Sequence, residues 1–307
     1  MSDVADSGST ARLVLLIGSP RSGTTWVQAM LGSHPQIATP QETDLFHVFM
    51  APLADAWDRQ LVAARDEDLV ARRKGLPLVL TDAEFTSAAG ALVRATVDAV
   101  VRMQPGAGVV LEKSPIHSLH VSTALRFDPE VSFLHVLRDG RDVAHSLVTA
   151  SQAEWGSHWA PETITEAANI WESHVTGARM APHRTARWCE VRYEELTGDD
   201  AAEALVRAFA GCGVQVTNDE ARATLERFRL EGLRADGEVA ESIVTGGELA
   251  GAPHVRVEPD GFFRRGGSGE WRTAWSAADR REFDSAAGEL LVSLGYEPDH
   301  AWADADR

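Results

Sequence analysis

Residues 12–32 read RLVLLIGSPRSGTTWVQAMLG, and this stretch decides the fold class. It opens with RLVLLI, whose apolar residues do not alternate with polar ones, which is typical of a strand buried on both faces of a parallel sheet. The loop GSPRSGTT follows directly, and the segment after it has the pattern of a helix. A strand, a glycine-containing loop and a helix in this order form the unit that cradles a phosphate.

The rest of the chain continues this alternation of strands and helices. Its 307 residues fit one domain, and the order of elements predicts an α/β fold, a P-loop-like doubly wound parallel sheet flanked by helices. Further strands are predicted at 109–111, 131–137 and 185–191, and helices at 84–103, 162–180, 201–210, 218–229 and 277–293.

The same pattern predicts where the domain begins and ends. Residues 1–10 are small and polar, and we expect a disordered leader there. The domain is expected to occupy 11–300. Within it, the glycine-rich segment 234–269 is predicted to be a mobile loop that orders over a ligand.

The formal net charge is −17, which excludes a nucleic acid as the expected partner, because phosphate backbones require clustered Lys and Arg. An anionic ligand would therefore need a locally basic site. Lys74 and Lys113 are the only lysines of the chain. Cys189 and Cys212 have neither metal-binding nor disulfide-framework spacing, and no metal site is expected.

No signal peptide and no apolar run of membrane-spanning length are evident. We therefore expect a cytoplasmic protein without a membrane partner. The oligomeric state is not readable from the sequence, and a homodimer stays open as one alternative. The composition, rich in Arg and Ala and poor in Lys, is typical of a high-GC bacterium, whose proteins often serve secondary metabolism.

The loop from Gly18 to Gly23 has the spacing of a P-loop, but Thr24 occupies the position where nucleotide triphosphatases have Lys. The nearest cation is Arg21, within the loop. The missing Lys disfavours an ATPase or a small-molecule kinase, because that side chain reaches the β- and γ-phosphates. A loop of this composition suits a single 5′-phosphate.

The segment PRSGTTW at 20–26 resembles the 5′-phosphosulfate loop of the sulfotransferases that use 3′-phosphoadenosine 5′-phosphosulfate (PAPS). Arg138 and Ser146, within VSFLHVLRDGRDVAHSL, resemble the pair that holds the 3′-phosphate in that family. The late segment RRGGSGEWR and the tyrosine of RYEEL also match, with features of the tyrosylprotein and cytosolic branches. The resemblance implies that the nucleotide is bound by Arg21, Ser22, Gly23, Thr24, Thr25, Trp26, Arg138, Ser146, Tyr193, Arg264, Arg265 and Gly266.

Roles in catalysis follow from the same resemblance. Glu42 is the expected general base, and His117 is the alternative base. Lys113 is expected to contact the sulfuryl group or the bridging oxygen, and Arg21 to share the charge of the leaving group. Two alternatives stay open: Lys113 as an ion-pair partner of Glu112, and Trp26 as a core residue rather than a stacking partner of adenine.

The sequence thus predicts a sulfotransferase with PAPS as donor, PAP (3′-phosphoadenosine 5′-phosphate) as product and a small-molecule hydroxyl as acceptor. No metal is required, because the transferred group carries less negative charge than a phosphoryl group. Aromatic residues at 40–60, 150–165 and 234–262 are the expected lining of the acceptor site. A P-loop kinase and a non-catalytic nucleotide-binding protein are the alternatives.

Overall fold

A parallel sheet of five strands forms the centre of the fold. The computed structural model describes residues 10–65, 74–229 and 267–305, with the backbone of 248–249 and 252–253. Five strands pair in the order β2-β3-β1-β4-β5, all parallel. Their bounds are β1 Arg12–Ile17, β2 Ile37–Ala38, β3 Val109–Lys113, β4 Ser132–Leu137 and β5 Trp188–Arg192.

The central strand is β1, which pairs with β3 on one side and with β4 on the other. Val14 to Ile17 are fully buried, as expected for a strand with helices on both faces. Every strand pair is parallel, so the chain returns from the end of one strand to the start of the next through helices on the faces of the sheet. The predicted doubly wound α/β fold is confirmed.

Helices cover both faces of the sheet. One apolar cluster joins α1, α8 and α9 to one face, and a second joins α2, α3 and α4 to the other. A third cluster packs α5 and α6 against the C-terminal helix α11. The bounds are α1 Thr24–Gly32, α2 Ala51–Arg65, α3 Asp82–Met103, α4 Val121–Phe127, α5 Gly140–Ser151, α6 Ile164–Ala178, α7 Tyr193–Thr197, α8 Ala201–Gly211, α9 Asn218–Arg227, α10 Trp271–Ala274 and α11 Ala277–Ser293.

Three successive elements at the β2 side of the sheet were not predicted. The strand β2 has only two residues, and a π-helical turn at Leu45–Met50 leads into α2.

The fourth predicted strand begins at Trp188 rather than at residue 185. Residues 1–9 of the expected leader, and 234–266 of the expected mobile loop apart from two short strands at Glu248–Leu249 and Ala252–Pro253, lie outside the described residues.

Among the described residues, no helix combines the length and the apolar composition that crossing a membrane requires.

Candidate functional site

The carboxyl ends of all five strands deliver polar side chains to one edge of the sheet. Arg21 follows β1, Glu42 follows β2, Lys113 ends β3, Arg138 follows β4 and Tyr193 follows β5. In an open parallel sheet, ligands bind outside this edge at the point where the strand order reverses. Here that point lies beside β1, between the loops that follow β1 and β4.

The loop after β1 has the backbone geometry of an anion cradle. Gly23 has a φ of 89°, and a Cβ placed there would lie 2.5 Å from the ring of Tyr193. Only glycine fits at this position, because both the conformation and the space exclude a side chain. Arg21 also has a positive φ, of 70°, which is a strained conformation for a side-chain-bearing residue. Helix α1 begins immediately afterwards, at Thr24.

The side chain of Arg21 joins the two segments that were predicted to bind phosphates. Its Nε donates to Ser146 Oγ at 3.1 Å, and its guanidinium carbon lies 5.3 Å from the ring centre of Trp155. The backbone carbonyl of Arg21 accepts a hydrogen bond from Arg138 at 3.1 Å. The loop after β1 and the first turns of α5 therefore meet at one place.

Arg138 is held by backbone carbonyls and by an aromatic face. One terminal nitrogen donates to the Arg21 carbonyl, the other donates to the Gly267 carbonyl at 2.8 Å, and the guanidinium carbon lies 4.2 Å from the ring centre of Tyr193. Its Nε is buried and has no hydrogen-bond partner among the described residues. An unsatisfied buried donor is costly, so this nitrogen marks a position where an anionic ligand would fit.

Tyr193 and Trp26 pack beneath the loop. Both are buried, and their rings meet edge to face at 5.7 Å. Burial raises the pKa of Tyr193. The indole N–H of Trp26 donates to the carbonyl of Phe228 at 2.8 Å. Trp26 is thus packed within the core, and its stacking on a nucleotide base stays a prediction.

Lys113 links the loop to the predicted base. Its ammonium forms an ion pair with Glu42 and donates to Thr25 Oγ1 at 3.2 Å. The Lys113 side chain is 1% exposed, whereas that of Glu42 is 37% exposed. Glu112, considered above as an ion-pair partner of Lys113, instead accepts hydrogen bonds from Thr43 and Ser114, because neighbouring residues of a strand point to opposite faces.

His117 is completely buried, and each of its ring nitrogens lies beside a polar atom of the protein. Nε2 accepts the backbone N–H of Phe46 at 3.1 Å, and Nδ1 lies 2.8 Å from the carboxylate of Glu112. Nε2 as acceptor places the proton on Nδ1. Burial by itself would raise the pKa of Glu112, but His117 and the hydrogen bonds from Ser114 and Thr43 lower it to about 2.

Three further site predictions concern the segment that precedes α10. Arg264, Arg265 and Gly266 lie outside the described residues. The segment directly after them is fixed to the start of α5, because the N–H of Gly269 donates to Asp142 at 2.7 Å. In the ranges 10–65, 74–229 and 267–305, no group of three or more His, Cys, Asp or Glu side chains is arranged to hold a metal ion.

Sequence reasoning did not identify the contact between Thr43, which follows Glu42, and Glu112. Thr43 and Glu112 are far apart in the chain, and no local spacing indicates that they meet. The position of Trp155 beside Arg21 was also not foreseen, although Trp155 belongs to a segment predicted to line the acceptor site.

The chain matches the model of the Sulfotransferase family over residues 14–217. Mouse protein-tyrosine sulfotransferase 1 is 30% identical over 137 residues, which are 45% of this chain and 34% of the mouse protein. The rat protein-tyrosine sulfotransferase 1 gives the same values. The chain therefore spans about a third of the length of these curated relatives.

Two solved structures share the fold. A mouse sulfotransferase complexed with PAP is 14% identical, with a TM-score of 0.53 over 92% of this chain and 88% of that chain. The sulfotransferase domain from the curacin biosynthetic pathway is 14% identical, with a TM-score of 0.51 over 91% of this chain and 97% of that chain. The family model matches well over half of the residues, and the parallel sheet with the loop 18–23, here called the cradle loop, agrees with it. The chain is a member of the sulfotransferase family.

Proposed function

We propose that this protein transfers a sulfuryl group from PAPS to the hydroxyl of a small molecule. The proposal rests on the contact between Arg21 and Arg138 at the edge of the sheet and on the buried Nε of Arg138, which has no hydrogen-bond partner in the part of the chain that the structure describes. Two cations on two adjacent strand ends suit a nucleotide with phosphates at two positions. The family membership and the PAP complex of the mouse structural relative support the same donor.

The residues of the site fit such a donor. The loop after β1 and the start of α1 would hold the 5′-phosphosulfate, because backbone N–H groups at a helix N-terminus favour an anion. Arg138 and Ser146 would hold the 3′-phosphate, which gives the Arg138 Nε its acceptor. Tyr193 supports this arrangement from below, since its ring packs against both Gly23 and Arg138.

Fixed cations would stabilise the charge that develops in the reaction. When the bond between sulfur and the bridging oxygen breaks, negative charge appears on the departing phosphate. Lys113 reaches the loop through Thr25, and Arg21 lies within the loop, so both are placed to offset that charge. Lys113 is desolvated, which strengthens its electrostatic effect.

Glu42 is the general base of the proposal. The acceptor hydroxyl loses its proton to the Glu42 carboxylate, its oxygen bonds to sulfur, and the bond from sulfur to PAP breaks. Glu42 is partly exposed and so accessible to an acceptor, while both nitrogens of His117 lie beside polar atoms inside the protein. We therefore favour Glu42 over His117 as the base.

Trp155 is the residue of the proposed acceptor site that lies nearest to the cradle loop. This ring lies against Arg21, and Trp159 follows it at 6.0 Å with half of its surface exposed. Trp159 borders an open groove of about 590 Å³ that continues along the start of α6 to Ile170. Trp159 is the aromatic residue of the groove, whereas Glu162, Thr163, Glu166 and Asn169 give it a polar wall. We therefore favour a small alcohol with an aromatic part and further polar groups.

The test is sulfuryl transfer from radiolabelled PAPS to a panel of phenols, aliphatic alcohols and tyrosyl peptides. We expect label on a small alcohol, lost in Glu42→Gln. Label on the tyrosyl peptides alone would replace the small-molecule acceptor with a protein one. Transfer from γ-labelled Mg²⁺-ATP would instead support a kinase. PAP binding without transfer to any member would favour a non-catalytic nucleotide-binding protein.

A further inference from the structure

Glu112 is a buried carboxylate outside the residues assigned above to donor, acceptor or proton transfer. One of its oxygens accepts three hydrogen bonds: from the backbone N–H of Thr43 at 3.0 Å, the Thr43 hydroxyl at 2.8 Å and the Ser114 hydroxyl at 2.7 Å. Its other oxygen lies 2.8 Å from Nδ1 of His117. Thr43 directly follows Glu42, so this carboxylate is bound to the backbone next to the proposed base.

Ser114 and His117, which contact Glu112, also accept hydrogen bonds from backbone N–H groups that follow Thr43 in the chain. Ser114 Oγ accepts the backbone N–H of Asp44 at 3.2 Å, and His117 Nε2 accepts that of Phe46 at 3.1 Å. Glu112, Ser114 and His117, here called the Glu112 network, thus bind three backbone N–H groups between positions 43 and 46. All three side chains are buried.

The turn that the Glu112 network binds is strained. Asp44 has a φ of 49°, and within the described residues the other non-glycine residue with a positive φ is Arg21 of the cradle loop. Directly after Asp44 the chain enters the π-helical turn Leu45–Met50. Conformations of this kind persist only when the surrounding structure enforces them, and they cluster at functional sites.

The last two residues of β3 therefore contact the Glu42 region from opposite faces of the strand. Lys113 points to the carboxylate of Glu42, while Glu112 on the opposite face fixes the backbone that carries Glu42. We propose that the Glu112 network is a positioning site that holds Glu42 in register with Lys113 and the cradle loop. The inference rests on the proposed function, since it assigns the network its purpose through Glu42. It makes His117 a positioning residue.

The test compares Glu112→Gln with the wild type in three measurements. The uncharged amide oxygen accepts weaker hydrogen bonds from Thr43 and Ser114 than the carboxylate does, so backbone hydrogen exchange across 43–46 should become faster. The kcat for the sulfated acceptor should fall by about tenfold or more, because small displacements of a catalytic group are expensive. The dissociation constant of PAP should stay within about twofold, because Glu112 does not contact the loop that binds phosphate.

The matched control is Glu190→Gln. Glu190 pairs with the buried His135 at 2.9 Å, in a strand of the same sheet, and does not contact the 43–46 turn. This variant should be less stable, with unchanged kcat and unchanged exchange at 43–46. Where Glu112→Gln does not fold, Ser114→Ala, which removes one hydroxyl, should give the same pattern in weaker form.

Two results would overturn the inference: unchanged exchange at 43–46 in Glu112→Gln, or faster exchange there with full kcat. A wild type that transfers no sulfuryl group defeats the proposed function instead. In that case the exchange measurement still decides whether the Glu112 network holds the turn.

Discussion

The carboxylate of Glu42 pairs with the ammonium of Lys113, although Lys113 is almost fully buried and Glu42 lies at the surface. The same ammonium donates to Thr25, the second residue of α1. The pair therefore connects solvent, from which the proposed acceptor would enter, to the loop proposed to hold the donor. A buried ammonium is expensive to maintain, which is reasonable where its charge stabilises a transition state.

Replacing Lys113 should lower the catalytic rate without lowering the stability of the protein. In Lys113→Met we expect kcat to fall by about 100- to 1,000-fold, the usual effect of removing one electrostatic contact to a transition state. The free energy of unfolding should change little, because the buried charge is removed while Glu42, which is 37% exposed, is hydrated once it loses its partner. Steady-state kinetics and urea unfolding measure the two effects. Lys74→Met, at the exposed second lysine, should change neither.

Glu42→Gln tests the assignment of the base. The amide keeps the shape of the side chain but cannot take a proton, so kcat should fall by about 100- to 10,000-fold while PAP binding is retained. Glu130→Gln, at an exposed carboxylate paired with Arg187, is the control and should behave as wild type. Full turnover in Glu42→Gln would refute Glu42 as base and return His117 to consideration.

Arg138→Ala should reveal a site specific for a 3′-phosphate. Hydrogen bonds between charged groups contribute about 1.5–3 kcal/mol, so PAP should bind roughly ten- to a hundredfold more weakly. Adenosine 5′-phosphate, which has no 3′-phosphate, should bind the variant and the wild type equally. Calorimetric titration gives both constants. Arg207→Ala removes the same charge from a half-exposed ion pair and should leave PAP binding unchanged.

The stability of the protein should depend on which side chain occupies the strained turn at Asp44. With a φ of 49°, Asp44→Val should lower the free energy of unfolding by about 1–2 kcal/mol, because a branched side chain collides with the backbone there. Asp44→Gly should be tolerated, since glycine adopts this conformation freely. Urea unfolding of the two variants checks the order; equal stability would contradict a strained turn.

Glu112 should make the protein sensitive to acid. Its pKa is lowered from 4.5 to about 2 in the folded protein, so its contribution to stability is complete above pH 4.5 and is lost as the pH falls towards 2. Glu112→Gln should lack that contribution. Its free energy of unfolding should therefore decline less than that of the wild type between pH 6 and pH 3. Parallel declines in the two proteins would show that Glu112 does not titrate in this way.

The strand-end residues could be predicted because their signals are local. Arg21, Lys113 and Arg138 each follow or end an apolar run, and a parallel sheet brings such ends to one edge whatever the details of packing. The boundaries of β1 agree with the prediction for the same reason, since a fully buried strand has a continuous apolar pattern.

The surroundings of Glu42 could not be predicted from the sequence. They depend on the two-residue strand β2, which is too short to show a periodicity, and on a π-helical turn that has no sequence signature. Helix α2 follows with Pro52 in its first turn, where proline is tolerated although it reads as a helix breaker. The contact between Thr43 and Glu112 results from the pairing of β2 with β3, which only the folded sheet reveals.

The central claim is a nucleotide site that requires both a 5′- and a 3′-phosphate, and calorimetric titration with PAP, adenosine 5′-phosphate and Mg²⁺-ATP tests it most directly. The arrangement of Arg21 and Arg138 predicts tight binding of PAP, binding of adenosine 5′-phosphate weaker by about tenfold or more, and little binding of Mg²⁺-ATP. Equal affinity for PAP and adenosine 5′-phosphate, or preference for Mg²⁺-ATP, would contradict the account.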